Sequence, residues 1–526
     1  MTTSVNAALM RLSRRAEASD PKTLVETFVD TGPLFHLIQS TDHQVMFGRR
    51  GTGKTHALYY LADAIRKQGA LPIYVDLRTI GSTGGVYNDP RLPLAERGTR
   101  LLLDVLETVH TQIVDAALAL AETTNVTQSL ALLDALADEI TSEVRVVGSI
   151  EREAQDSRGV EGGSQSSLRA VISTTPAIEI GGSSALSKSE SASHRIVESG
   201  VAQHAVHFGA VAGYLSSIVE ALPVDRIWLL LDEWSSVPID LQPLLADLFR
   251  RCVLPVRGIT LKIAAIEQRS EFHIPRTGDY MGIELGADVA ADLDLDDFLV
   301  FGNDANRAKE FFAELLFRHV VSFCEDDITD SVPTTAAEFI QASFTQQGTF
   351  AELVRAAEGV PRDAINVANL AAMKANDEAI SLPVLRGAAR TWYLRDKEAA
   401  ATVNPDARDL LHWVIDEVIG ERQARAFLLR QGEDRKHPLI RTLYDARVLH
   451  LVKKGVASKD QPGVRFNVYG LDYGCYVELS TTAKEPSGLF MAELDDGAES
   501  YVQVPKDDYR SIRRAVLDLD AFESRK

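Results

Sequence analysis

The sequence predicts an α/β fold in which a parallel sheet is built by successive crossovers, followed by an all-helical region and a C-terminal module of helices and a β-hairpin. Three observations predict it. A glycine-rich loop stands between a short strand and a helix over residues 43–67. A wholly apolar strand ends in two carboxylates at Ile227–Glu233. Beyond Asn306 the apolar spacing becomes helical.

The loop reads Gly48-Arg49-Arg50-Gly51-Thr52-Gly53-Lys54-Thr55 and completes the pattern G-x-x-x-x-G-K-[ST]. Glycines let backbone N–H groups close around phosphate oxygens, Lys54 sets an ammonium against the β and γ phosphates, and Thr55 offers a hydroxyl to Mg²⁺. His43–Phe47 reads as the strand entering the loop, and Thr55–Lys67 as the helix leaving it, with Leu58, Leu61, Ala62 and Ile65 on one face. Helix amides and dipole both favour an anion there. The motif and its flanks imply binding of a nucleoside triphosphate, ATP with Mg²⁺.

Residues 1–24, with Arg11, Arg14 and Arg15 before Pro21, read as a solvated tail or leading helix, a partner-binding arm being the alternative. Leu71–Arg78 is a second strand, apolar enough for burial in a parallel sheet. Helical spacing runs over Leu101–Ala121 and Leu130–Ile140. A Ser/Gly-rich insertion follows at 142–200, surrounding the apolar run Leu168–Ile180. It reads as a surface insertion or as a loop that grips a partner.

A helix over Val206–Leu222 precedes the strand Ile227–Asp232, expected beside the glycine-loop strand. There Asp232 would hold Mg²⁺, usually through water, and Glu233 would orient and deprotonate the attacking water. Gly258–Gln268 is a further strand, followed by Arg269. The stretch Asp279–Asp330, with Asp292, Asp294, Asp296 and Asp297, reads as a solvated acidic face.

Helices are expected at Ala308–Phe323, at Thr335–Phe344 and from Gly359-Val360-Pro361-Arg362 onward, where proline suits the first helical position. The last module begins near Pro405 with a helix over Ala407–Ile419. A second helix, His437–Ala446, leads into Val448–Val452, a polar turn with Pro462-Gly463, and a closing strand Val464–Leu479. That is the layout of a winged helix-turn-helix. The aromatics Phe466, Tyr469, Tyr473 and Tyr476 read as hairpin core, and a last helix is expected over Asp508–Leu519.

Composition bounds the function classes. The 526 residues suffice for about three or four domains, with 45% hydrophobic and 25% charged residues. No apolar run is long enough to span a bilayer and no basic-then-apolar leader is present, so cytoplasmic residence without a membrane partner is expected. Cys252, Cys324 and Cys475 are widely spaced, which indicates neither a disulfide framework nor a zinc ribbon. A net charge of −20 excludes a wholly basic surface, yet Arg435, Lys436, Arg441, Arg447, Lys453, Lys454 and Arg465 concentrate positive charge on the last module. On a winged helix such residues would meet duplex DNA, or an acidic protein partner.

These motifs together resemble the AAA+ ATPases, and within them the origin recognition complex and archaeal replication-initiator branch, over about Val25–Leu479. The resemblance implies an AAA+ base at 25–300, a helical lid at 301–400, a winged helix at 401–482 and a C-terminal tail at 483–526. It implies that Arg362 of the Gly-x-Pro-Arg element senses the γ-phosphate. It places Gln268, or its neighbour Glu267, at the polar sensor position, where the family has Asn, Ser or Thr. Arg269 or Arg276 would serve as an arginine finger in a nucleotide-dependent homo-oligomer. The function this implies is a DNA-associated ATPase switch. The alternative is a regulatory or defence ATPase similar to STAND proteins, acting through a partner protein. Ring-type protein remodelling ranks last, because Thr79–Gly85 holds no aromatic-hydrophobic pore loop.

Overall fold

The computed structural model describes residues 5–13, 16, 19–30, 33–80, 87, 89–121, 125–141, 143–154, 194–204, 206–296, 305–324, 333–422, 424, 426–432, 437–457, 462–479 and 516–524. Its strands are β1 (Gln44–Phe47), β2 (Leu71–Asp76), β3 (Glu143–Ala154), β4 (His194–His204), β5 (Ile227–Asp232), β6 (Ile259–Ala265), β7 (His273–Arg276), β8 (Asp279–Gly282), β9 (Ala290–Asp294), β10 (Ala426–Arg430), β11 (Leu449–Ala457) and β12 (Arg465–Leu471). The chain divides into two compact units. One holds Met1–Thr79, Val224–Asp247 and Gly258–Lys526; the other holds Ile80–Pro223 and Leu248–Arg257.

The first unit carries a parallel sheet in the order β2-β5-β6-β1-β9. Every residue of β5 and β6 is buried, as expected of strands covered on both faces. The acidic strand β5 was expected beside β1, and it is not. β6, buried over all seven residues, takes the central place between them, pairing Leu230 with Lys262 and Lys262 with Gln44. β9 lies inside the stretch read as a solvated acidic face. Leu293 enters the core against the phosphate-loop helix Lys54–Lys67, joining Met46, Leu58, Leu61 and Leu230.

Helices Ala305–Cys324, Ala336–Ser343, Gln347–Ala357, Pro361–Ala375 and Leu382–Trp392 share a second core around Phe312, Leu316, Phe339, Leu353, Ala368 and Leu385. Thr335 caps the second of these by accepting from Glu338 N, and Pro361 opens the fourth. The N-terminal stretch belongs to this core and is not a solvated tail. Helix Val5–Arg11 buries Leu9 completely, and Asn6 Nδ2 donates to the carbonyls of Asn376 and Glu378 at 2.6 and 2.8 Å. Its apolar face, Ala8, Leu9 and Leu12, supplies the reason.

The C-terminal module places helix Pro405–Ile415 and helix Pro438–Asp445 against an antiparallel sheet β10-β12-β11, with Phe427 stacked on Tyr469. The expected closing strand stops at Leu471. Asp472 accepts from Gly474 N at 2.9 Å and starts helix Tyr473–Leu479. Of that helix, Tyr473 and Val477 enter the helical core, and Cys475 and Tyr476 the core of the module.

In the second unit helices Leu94–Leu120, Thr127–Thr141 and Phe208–Ala221 bury apolar stripes that include Val105, Leu136 and Leu215. β3 and β4 form an antiparallel ribbon from Glu143 opposite His204 to Ala154 opposite His194. The run Leu168–Ile180, Arg14, Arg15, Asp297, Arg435 and Lys436 lie outside the described residues, as does most of the helix expected over Asp508–Leu519; a short helix is seen at Leu519–Glu523.

Leu9→Ala is expected to cost about 2–5 kcal/mol, the range for emptying a buried leucine site. Equilibrium urea unfolding checks it: an unchanged midpoint and slope would show that the N-terminal helix is not docked.

Candidate nucleotide site

Parallel strands end together, so the residues after β1, β2, β5, β6 and β9 meet at one sheet edge, the place where open α/β sheets bind ligands. The phosphate loop follows β1. At Gly48 a Cβ would lie 2.6 Å from Thr52 Oγ1, and at Gly51, with φ +85°, it would lie 2.7 Å from the Cβ of Arg362. Only glycine fits either position. Lys54 is buried and its ammonium donates to the carbonyls of Gly48 and Arg49 at 2.8 and 2.9 Å. Burial pushes Lys54 below lysine's ordinary pKa, against the pull of Asp232, Glu233 and Asp296.

Although β6 separates β5 from β1, the carboxylate of β5 reaches the loop helix. Thr55 Oγ1 donates to Asp232 Oδ2 at 2.6 Å, Tyr74 OH from β2 donates to the same oxygen at 2.8 Å, and Glu233 N donates to Oδ1 at 2.8 Å. Asp232 is fully buried. Burial and the adjacent Asp232 carboxylate raise the Tyr74 phenol far above its ordinary value, so it stays a donor. Glu233 has φ 56°, a left-handed conformation that costs a side-chain-bearing residue about 1–3 kcal/mol. It is held by the turn that follows, where Ser236 N donates to Glu233 O at 2.8 Å over the fully buried Trp234. Arg78, forked onto Asp76, brings a guanidinium nitrogen to 3.9 Å from Glu233 Oε1.

The lid element touches the loop directly, since Arg362 N donates to Gly51 O at 3.2 Å and Val360 packs beside Gly51. Arg362 also lies close enough to Lys54 to help lower its pKa. Gln268 is buried just beyond β6, while Glu267 turns to Lys454.

Arg49 does not face outward from the loop. Its Nε donates to Asp296 Oδ1 at 2.8 Å, its backbone N to Asp296 Oδ2 at 3.0 Å, and its NH2 to Glu358 O at 2.9 Å, while NH1 meets His450 Nδ1. Burial would lower its pKa, but Asp296 prevails and holds it above arginine's ordinary value. Arg50 is exposed.

Several cations expected to face DNA are engaged within the chain. Arg447 is buried, 3.4 Å from Asp363 and bonded to Asp396. Lys454 bridges Glu267 and Asp294 at 2.5 and 2.9 Å, at the wall of a cavity of about 700 Å³ also lined by Phe47 and Phe272. Spatial neighbours distant in sequence supply the compensating charge, which is why neither belongs to a phosphate-facing set. Arg441 is half-buried; Lys453 and Arg465 are exposed on the hairpin. Of the two arginine-finger candidates, Arg269 pairs with Asp445 at 3.2 Å, and Arg276 ends β7.

Sequence reasoning missed Tyr74, Arg78, Asp296 and His450. Tyr74 and Arg78 had a usable signal, because they lie in and just beyond a strand expected in the same sheet as the acidic one. Asp296 and His450 had none, being 247 and 401 residues from Arg49 in the chain.

No group of three or more His, Cys, Asp or Glu that would hold a metal by itself exists among the described residues. No helix among them is long and apolar enough to cross a membrane. Residues 12–75, which span β1, the phosphate loop and the helix that follows it, match the family model ORC-CDC6-like. Among solved structures, the Aeropyrum pernix ORC1 protein in complex with DNA is similar at 13% identity and a TM-score of 0.31, over 90% of this chain and 96% of that one. No curated protein matches. With its parallel sheet, helical lid and matched loop segment, the chain resembles the ORC-CDC6-like branch of the AAA+ proteins.

Proposed function

We propose that this protein is an ATP-binding and ATP-hydrolysing switch that acts on duplex DNA through its C-terminal module, read as a winged helix. The observation that carries the nucleotide half is the Thr55 to Asp232 contact at 2.6 Å, with Glu233 next in the chain. A hydroxyl and a buried carboxylate side by side at the start of a phosphate-loop helix are the donor set that Mg²⁺ takes together with phosphate oxygens. When bound, Mg²⁺ would neutralise charge developing on the phosphates.

The chain's own residues supply the rest. Loop amides and Lys54 bind phosphate, and Glu233 orients and deprotonates water. The Arg362 guanidinium, carried by the lid, reports whether a γ-phosphate is present. Gln268, beyond β6, is the polar group for the same phosphate. Exposed Lys453 and Arg465 on the β11–β12 hairpin support DNA contact through backbone phosphate. Oligomerisation through Arg276 is part of this proposal.

A second reading, a regulatory ATPase acting through a partner protein, is favoured by one observation. The module spends Arg447 and Lys454 on contacts inside the chain and ties Asp445 to Arg269, so it holds the ATPase rather than facing away from it.

Glu233→Gln is expected to leave ATP affinity within about threefold and to lower turnover by about 10²–10⁴-fold, the span of a lost general base. Lys54→Ala is expected to lose binding. A phosphate-release assay beside a nucleotide-binding titration checks both, and wild-type turnover by Glu233→Gln would refute that assignment. For DNA, Lys453→Ala with Arg465→Ala is expected to weaken duplex binding uniformly across sequences and to reduce the salt slope by about two. Mobility shift with ATP at several salt concentrations measures it. No binding by the wild type rejects the DNA half and favours the partner-protein reading.

A further inference from the structure

Arg49 has a role that phosphate recognition does not use. Its guanidinium lies behind the phosphate loop and is gripped from three directions: by Asp296 beyond β9, by Glu358 O before the lid helix, and by His450 on β11. A guanidinium has donors only, so Nδ1 of His450 must accept. The imidazole is therefore neutral and carries its proton on Nε2, which donates to Asp472 Oδ2 at 2.8 Å. Burial and the neighbouring Arg49 both depress the His450 pKa, in keeping with that tautomer. Asp472 is itself fixed by Lys397 Nζ at 2.6 Å, and Lys397 reaches Asp363 at 2.9 Å. Asp363 directly follows Arg362 on the lid helix.

We infer that His450 is a positioning residue for nucleotide binding, acting through Arg49 and Asp296 to hold the backbone of the phosphate loop in place. The backbone N of Arg49 is already committed to Asp296. Rotation of the Arg49 side chain would break its Nε bond to Asp296 Oδ1 and loosen the carboxylate that also holds the Arg49 backbone N, and with it the Gly48 and Arg49 carbonyls on which Lys54 rests. His450 blocks the rotation. ATP affinity then depends on a residue of the C-terminal module that touches no phosphate, so undocking of the module weakens nucleotide binding. By reciprocity ATP favours the docked module. The inference rests on the loop being an ATP site.

The test is titration of the full chain with a fluorescent ATP analogue, alongside thermal melting. His450→Leu is expected to raise the Kd about tenfold or more, as loss of an orienting partner does elsewhere, with turnover at saturating ATP little changed. His450→Gln, whose amide both accepts from Arg49 and donates to Asp472, is expected to restore affinity to within about twofold. A merely structural site would rank the two variants by melting temperature instead. Should His450→Leu fail to fold, His450→Asn, polar but too short to bridge, makes the same comparison. A folded His450→Leu or His450→Asn that binds as the wild type does overturns the inference. Absence of binding by the wild type overturns the ATP reading itself. Loss on Lys54→Ala with no effect at His450 overturns the positioning role alone.

Discussion

A guanidinium shut away from water behind the phosphate loop is the constraint that the rest of this fold answers. Arg49 is buried, and an isolated buried charge would cost many kcal/mol, so its neighbours are obliged to be where they are. Asp296 supplies the charge, which requires β9 to pair with β1 on the outer side of the sheet. Glu358 O supplies an acceptor, which brings the start of the lid helix against the loop. His450 fills the remaining direction, which brings in the C-terminal hairpin. Three segments far apart in the chain are thereby fixed to one loop residue.

The same placement explains how the acidic strand serves the loop without adjoining it. β6 lies between β5 and β1, yet parallel strands share an edge, and the helix after the loop leans across that edge. Thr55, at the helix start, then meets Asp232 over the end of β6. Burial of every β5 and β6 residue packs this end of the sheet, and bonds from Tyr74 OH and Glu233 N fix the Asp232 carboxylate that the Thr55 hydroxyl meets.

The parts legible in the sequence were those whose physics is local. The loop, its strand and its helix are encoded in about twenty-five consecutive residues by glycine spacing and helical period. Pro361 and Thr335 mark helix starts by chemistry that acts within one turn. β9 was not legible, because Ala290-Ala291-Asp292-Leu293-Asp294 is too short and too acidic to read as a strand until β1 pairs with it. The strand expected to run to Leu479 was cut by Asp472, whose capping bond outweighs the β-favouring aromatics around it. Arg447 and Lys454 looked like surface cations because their carboxylate partners come from residues 267–396.

Arg49, Lys397 and Arg447 are buried cations, and Asp296, Asp363 and Asp472 are buried carboxylates, so these charges find their partners only when all of these segments are assembled. Burial would lower the cations and raise the acids, and mutual attraction reverses both: Lys397 stands above its ordinary value, Asp363 and Asp472 below theirs. Apolar residues of similar volume would hold the segments together as well or better, so cohesion alone is a weak account of the network. What apolar packing would not give is dependence. Withdrawing the module exposes Asp472 and Arg447 and leaves Lys397 and Asp363 without half their partners, while Arg49 loses His450. A balanced set of buried charges therefore ties loop, lid and module to one another, which is the property the proposed nucleotide-driven switch would require.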